Sequence, residues 1–317
     1  MDRAFVQRGA RYVQRISRKL WGRSRLDTRG FHEKPLGNGV SREAALAAGS
    51  IRGRGYGPAV FIHGVLPRSG TVYVGEILRL HPALHAYPND LWEIPFLELS
   101  GDIMDVQKHF FKAYPQNRER MGEQDFLPLF GASLMAYLHS FCPDGKRLLL
   151  KIPDVQYLEF FPVVFPEEKL LLLMRDGRDV VSSTVRTWPD VDFAWVCRKW
   201  ALSARAMLDF SEKGAGEPWM VKYEDVIRDP AGFARQACRH FSLDQEAFPF
   251  GEINKLSVRG SSSIKSSGKV TWDASAKPEG FNPVGRWQAW NSKEKALFKS
   301  IAGEALIDAG YSKDMDW

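Results

Sequence analysis

Two short stretches of this 317-residue chain put cations, hydroxyls and glycine in the order that an anion site needs. The first reads Gly64-Val65-Leu66-Pro67-Arg68-Ser69-Gly70-Thr71, between an apolar run and a helical pattern. Strand, tight loop and helix start together aim backbone N–H groups at one point. Gly70 lets the backbone approach a phosphate closely, Ser69 and Thr71 offer hydroxyl donors, and Arg68 offers a permanent, forked cation. The second stretch runs from Leu170 to Met174, then Arg175-Asp176-Gly177-Arg178-Asp179, then on to Ser183. An apolar strand ends in Arg175 and a helix N-terminus follows, again presenting a cation and a positive dipole end to an anion. Ser183 falls about one turn into that helix and is expected to face the same pocket. Taken singly, the first stretch also suits a plain strand-to-helix turn, and the second a surface Arg/Asp turn making weak local pairs.

The loop is not the nucleoside-triphosphatase pattern G-x-x-x-x-G-K-[ST]. Ser69-Gly70 stand where Gly-Lys is required, and the cation lies upstream at Arg68. No apolar strand ending in Asp offers a magnesium ligand. A P-loop kinase or triphosphatase is the alternative reading. Pro67-Arg68-Ser69-Gly70-Thr71 resembles the 5′-phosphosulfate loop P-[KR]-S-G-T of the sulfotransferase family. The resemblance implies 3′-phosphoadenosine 5′-phosphosulfate (PAPS) as co-substrate and no metal. It puts Arg175 and Ser183 at the family's spacing for the two groups that hold the 3′-phosphate. Tyr73 takes a position where the family can set an aromatic ring near the nucleotide. Tyr223, in Val221-Lys222-Tyr223-Glu224-Asp225, resembles the YED segment whose tyrosine lies at the base; a purine is flat and apolar on its faces, which suits such rings. Gly285-Arg286-Trp287 and the Ser/Lys-rich stretch before it resemble the C-terminal loop that closes over the nucleotide. Arg259, Lys265, Lys269 and Arg286 are its candidate phosphate contacts. The resemblance runs from about residue 58 to the end and does not cover residues 1–50.

Sulfuryl transfer is similar to phosphoryl transfer, so positioning and cations should supply most of the catalysis. The resemblance implies that Arg68 neutralises the leaving 5′-phosphate and that Lys151 contacts the transferred group. A general base adds roughly 10²–10⁴-fold. The cytosolic small-molecule branch carries a histidine two residues after that lysine, where this chain has Pro153. It therefore looks closer to the branch resembling tyrosylprotein sulfotransferases, with a carboxylate after the first helix. Counting back from Pro95 selects Asp90, and counting forward from His81 selects Asn89. Asp90 is the expected base, with Glu93 in reserve. The acceptor is a hydroxyl or amine of unidentified nature; Trp92, Phe96, Phe110, Phe111, Tyr114, Phe126 and Phe130 suit a lipid or aromatic small molecule but are also ordinary core composition.

The elements that must position these groups alternate. Apolar runs predict strands over Ala59–Ile62, Arg147–Lys151, Lys169–Met174 and Trp219–Lys222. Periodic stretches predict helices over Thr71–Leu80, Val155–Phe161, Asp179–Arg186, Phe193–Lys213, Pro230–Phe241 and Ser292–Ala309, the last capped by Ser292. Residues 91–141 read as mostly helical and irregular, and 259–285 as a long loop. Alternation of this kind predicts an α/β, three-layer, P-loop-like fold with a central parallel sheet flanked by helices.

Residues 1–50 are expected to form an N-terminal extension and linker, and 51–317 the sulfotransferase domain. Arg3, Arg8, Arg11, Arg15 and Arg18 interleave with Phe5, Val13, Ile16 and Leu20, a pattern for a basic amphipathic helix over 1–28. Such a helix can lie on an anionic membrane; a charged helix packed on the domain, a disordered tail and a nucleic-acid arm are the other readings, with nucleic acid not the expected partner. Glycines over 29–57 suggest a linker with one short helix near Ser41–Ala48. The formal charge of +6 favours anionic partners without choosing among them. Three scattered cysteines argue against a disulfide framework or zinc site, and no apolar run is long enough to span a bilayer. A cytoplasmic enzyme, peripheral to the membrane if the first helix binds it, is the expectation.

Overall fold

The computed structural model of the chain describes residues 26–36, 39–53, 55–260 and 274–317. The basic segment, up to residue 25, and both Lys265 and Lys269 lie outside the described residues. The elements in chain order are α1 (Arg42–Arg52), β1 (Val60–Gly64), α2 (Thr71–Leu78), β2 (Leu84–Ala86), α3 (Phe96–Ala113), α4 (Phe126–His139), β3 (Arg147–Ile152) and α5 (Phe161–Val164). They continue with β4 (Lys169–Met174), α6 (Gly177–Thr187), α7 (Phe193–Lys213), β5 (Trp219–Lys222), α8 (Tyr223–Arg228), α9 (Pro230–Phe241) and α10 (Ser292–Asp308). The five strands form one parallel sheet in the order β2-β3-β1-β4-β5.

The apolar strands are buried on both faces, and their pleat divides the core in two. Phe61, Leu148, Leu150, Leu170 and Leu172 point into one cluster, shared with Trp200, Phe210 and Phe298 of α7 and α10. Val60, Ile62, Leu149, Leu171, Leu173 and Val221 point into the other, shared with Val74 and Ile77 of α2 and with Phe233 and Phe241 of α9. Because successive residues of a strand face opposite ways, one continuous apolar run serves both layers. The expected α/β fold with helices on both faces follows.

Several boundaries differ from expectation for local reasons. Residues 155–161 do not form one helix: a 3₁₀ turn at Leu158–Phe160 precedes α5, which starts just before Pro162. Proline is favoured at a helix's first turn, not inside it. Ser292 is the first helical residue, not the cap; Asn291 caps α10 in a reciprocal box, with Glu294 N–H donating to Asn291 Oδ1 (3.0 Å) and Asn291 N–H to Glu294 Oε2 (2.9 Å). The glycine-rich stretch before β1 carries the short helix α1, and that helix is packed. Ser41 caps it while donating its hydroxyl to Asp125 (2.8 Å). Arg52 at its other end is buried on Glu168 (2.8 Å), whose second oxygen accepts from Ala59 N–H at the entrance to β1.

The topology sets the place of the site. β1 is the central strand, with β3 on one side and β4 on the other. In open parallel sheets the crevice outside the carboxyl ends of the strands, where the order reverses, receives ligands. The loops leaving β1 and β4 meet there, since Gly64 pairs with Leu173 and Val65 N–H donates to Leu173 O (3.0 Å).

Candidate functional site

The loop after β1 turns tightly. Ser69 N–H closes on Leu66 O (3.1 Å), and Arg68 and Gly70 both adopt positive φ, 77° and 99°. Such turns gather successive N–H groups into a concavity suited to an anion. Gly70 is required twice over: its φ is left-handed, and a Cβ there would meet the Tyr223 ring at 2.3 Å. Gly70→Ala is therefore expected to destabilise the fold by about 1–3 kcal/mol, the scale of a strained backbone position. Chemical denaturation measures this; an unchanged midpoint would show that the ring has room to yield.

The second cationic motif locks onto the first. Arg175, at the end of β4, donates through Nη1 to the Arg68 carbonyl and through Nη2 to Pro283 O (2.6 Å). Arg68 Nε donates to Ser183 Oγ at 3.0 Å. Ser183 is deeper in its helix than the spacing suggested, nearly two turns along, because α6 begins at Gly177 rather than Asp179. The Asp176 side chain caps that start by accepting from Arg178 N–H (2.9 Å). Arg178 faces away from the loop: it pairs with Asp176 (2.7 Å) and lies over the rings of Trp287 (4.1 Å) and Trp317 (4.6 Å).

Tyr223 lies under this junction. The Arg175 guanidinium stands 4.6 Å from its ring centre. Next to it, Glu224 accepts from Asp176 N–H (3.0 Å) and from the Tyr311 hydroxyl (2.9 Å), tying the start of α8, the β4 turn and the C-terminal segment together. The C-terminal loop is held by Asp179, whose carboxylate accepts from the amides of Gly285 (2.7 Å) and Arg286 (2.7 Å). Asp179 read as a helix-start residue in the sequence; its hold on the loop had no signal there.

These elements enclose a cleft of about 370 Å³, lined by Arg68, Gly70, Thr71, Tyr73, Arg175, Ser183, Tyr223, Arg259 and Arg286 among others. A volume of that size is within the usual range for small-ligand sites. Ser69 is buried behind the loop and does not line it. Lys277, Glu76 and Trp188 also line the cleft and were missed by sequence reasoning. Glu76 could have been noticed as the one acidic residue in the otherwise apolar Thr71–Leu78 helix.

The two carboxylate candidates part company. Asp90 is exposed on a turn and is not among the lining residues, whereas Glu93 lines the cleft. Glu93 accepts from Lys151 Nζ at 2.8 Å. Lys151 is buried behind Glu93 and does not itself line the cleft; its ammonium lies 4.7 Å from the Trp92 ring centre. Pro153 lines the cleft wall, and no histidine is among the described lining residues.

The electrostatics suit a polyanion. Burial, and then the Arg175 and Arg186 guanidinium groups, push Arg286 below its ordinary pKa. Crowded cations of this sort are relieved by a bound anion. Arg175 lines the cleft, and its Nε is buried with no hydrogen-bond partner among the described residues; buried donors rarely stay unmatched. Tyr73 is pushed up to about 12, by burial and then by Tyr223, so its phenol stays neutral. The residues present therefore fit a nucleotide with phosphate groups at both ends. Among the described residues, no three His, Cys, Asp or Glu side chains group as metal ligands.

A parallel sheet with cationic loops closing around one cleft defines an α/β protein with an anion-suited site. The sulfotransferase family model matches residues 58–247, and the chain belongs to that family. Membership sets aside the kinase or triphosphatase alternative. Comparison with curated proteins finds no match. Among solved structures, the sulfotransferase domain of the olefin synthase from Synechococcus PCC 7002 is 20% identical, with 79% of this chain and 96% of that chain covered and a TM-score of 0.49. Mouse sulfotransferase SULT7A1, complexed with PAP, is 13% identical, with 88% and 99% covered and a TM-score of 0.45. A sulfotransferase from Alicyclobacillus acidocaldarius is 14% identical, with 78% and 96% covered and a TM-score of 0.38. No helix among the described residues is long and apolar enough to cross a membrane.

Proposed function

We propose that this sulfotransferase moves a sulfuryl group from PAPS to a hydroxyl or amine by in-line displacement, with Glu93 as the base. The observation that carries the reading is the Arg68–Ser183–Arg175 interlock, which opens on one side into a cleft whose wall includes Glu93. PAPS supplies a sulfuryl group already activated by its bond to a phosphate leaving group. Gly70, Thr71 and Arg68 would hold the 5′ end, where Arg68 offsets the charge that gathers as the sulfur–oxygen bond breaks. Arg175 and Ser183 would hold the 3′-phosphate, Tyr73 and Tyr223 the flat nucleoside, and Arg286 the phosphates from the C-terminal side.

Glu93 takes the acceptor's proton as the new sulfur–oxygen or sulfur–nitrogen bond forms. We prefer it to Asp90 because it lines the cleft and Asp90 does not. Lys151 orients that carboxylate from behind, through the 2.8 Å contact. A carboxylate base, rather than a histidine, agrees with Pro153 on the cleft wall. The acceptor enters from the Glu93 side.

The test is transfer of radiolabelled sulfuryl from PAPS by the full chain to a panel of phenols, alcohols and amines, plus lipid-linked acceptors in anionic vesicles. Label on at least one acceptor, and binding of 3′,5′-adenosine bisphosphate (PAP), are expected. A protein that neither binds PAP nor consumes PAPS would overturn the reading. Label transfer only in the vesicle arm would identify the acceptor as lipid-borne.

A further inference from the structure

The segment that carries Glu93 is in a costly conformation. Tyr87, Asn89 and Asp90 all have left-handed backbones, with φ of 58°, 52° and 56°. Asn and Asp tolerate that region; a bulky tyrosine does so only when its surroundings hold it. The surroundings here are specific. The Tyr87 hydroxyl donates to Glu76 Oε1 at 3.0 Å, and the other Glu76 oxygen takes Arg79 at 3.0 Å. The Tyr87 ring stacks on Trp92, 4.4 Å between centres and 5° between planes, and Trp92 is also the ring under Lys151. Lys151 then holds Glu93. The contacts form a continuous path from Glu76 through Tyr87, Trp92 and Lys151 to Glu93.

Glu76 is the anchor of that path. It is buried on α2, the helix that starts at the phosphate loop, one turn after Tyr73, and Thr71, Tyr73 and Glu76 all line the cleft. The Tyr87 phenol is pushed far above its ordinary value, by burial and then by Glu76, so it keeps the proton it donates.

We infer that Glu76 and Tyr87 are positioning residues: together they latch the strained turn to the nucleotide-binding helix and so hold Glu93 in the cleft against Lys151. This rests on the reading of Glu93 as base. It adds that the base is set in place from the donor side of the site, through the first helix.

Tyr87→Phe tests the latch, because it removes the hydroxyl and leaves the ring to stack. Amide hydrogen exchange over residues 88–93 should speed up by about tenfold, the scale for losing one hydrogen bond to a charged group, while residues 66–71 and 175–183 stay protected. Turnover, read as label passed from PAPS to the best acceptor or to water, should fall about tenfold with PAP affinity unchanged. In a Glu93→Gln background the same change should cost almost nothing further, since residues acting through one group are not additive. Unchanged exchange at 88–93, or equal loss of turnover in both backgrounds, overturns the latch. So does a matched fall in turnover and PAP affinity, which is the mark of a merely structural role. Full activity in Glu93→Gln alone would instead sink the base assignment, and the exchange result would still decide whether Tyr87 holds the turn.

Discussion

Replacing Arg175 with alanine should weaken PAP binding by roughly 10- to 100-fold, because one charge-assisted hydrogen bond contributes about 1.5–3 kcal/mol and about 1.4 kcal/mol is a factor of ten. The guanidinium has three duties that no neighbour can assume. It reaches the Arg68 carbonyl, it reaches Pro283 O, and it lies against the Tyr223 ring. Its Nε is buried and unmatched among the described residues, and would be the atom that meets the nucleotide in the proposed site. Arg175→Lys should fall between wild type and alanine: it keeps the charge but cannot span the same forked set of partners. Calorimetric titration with PAP, on variants shown to be folded by their thermal transitions, makes the comparison. Near-wild-type affinity in Arg175→Ala would move the phosphate site elsewhere.

The second large effect belongs to Glu93. Glu93→Gln should slow transfer by roughly 10²–10⁴-fold, the usual value of a well-placed base, with little change in PAP affinity. Glutamine keeps an oxygen for Lys151, so the 2.8 Å contact and the wall around it survive while proton acceptance is lost. Asp90→Asn is the matched control and should keep most of the turnover, since Asp90 is exposed and outside the cleft lining. The reverse pattern, with Asp90→Asn inactive and Glu93→Gln active, would restore the position that counting back from Pro95 selects.

The choice between Asp90 and Glu93 turns on a local geometry that the sequence does not display. The strands β3, β4 and β5 and the helices α7 and α9 were legible because unbroken apolar runs and strong periodicity leave few alternatives. That Arg68, Gly70, Arg175 and Ser183 would meet at one cleft was legible because a loop between strand and helix fixes where its backbone points. The turn at 87–93 was not. Its course depends on three left-handed residues, and only Asn89 and Asp90 are types that advertise this conformation. Glu93 lines the cleft beside Trp92, which stacks on Tyr87, a contact that no spacing rule encodes. The strand β2 escaped notice for a different reason: Leu84–Ala86 is three residues long at the sheet edge, with His85 in the middle. The helix α8 was hidden because Tyr223–Arg228 is only six residues long, half of them charged, and follows β5 without a break.

The strap formed by Pro283 to Trp287 has a consequence for how the enzyme is made. It joins Arg175 and Asp179 across 106 to 108 positions of chain, and it lies beyond residue 247, where the family match ends. At translation speeds of about 5–20 residues per second, a ribosome needs roughly 5–20 s to travel from one to the other. Through that interval the growing polypeptide can assemble its sheet while its nucleotide cleft still lacks a side. Closure of the cleft therefore waits for residues 283–287, and an unfinished chain that stops short of the strap carries both arginine motifs in a cleft that lacks that wall.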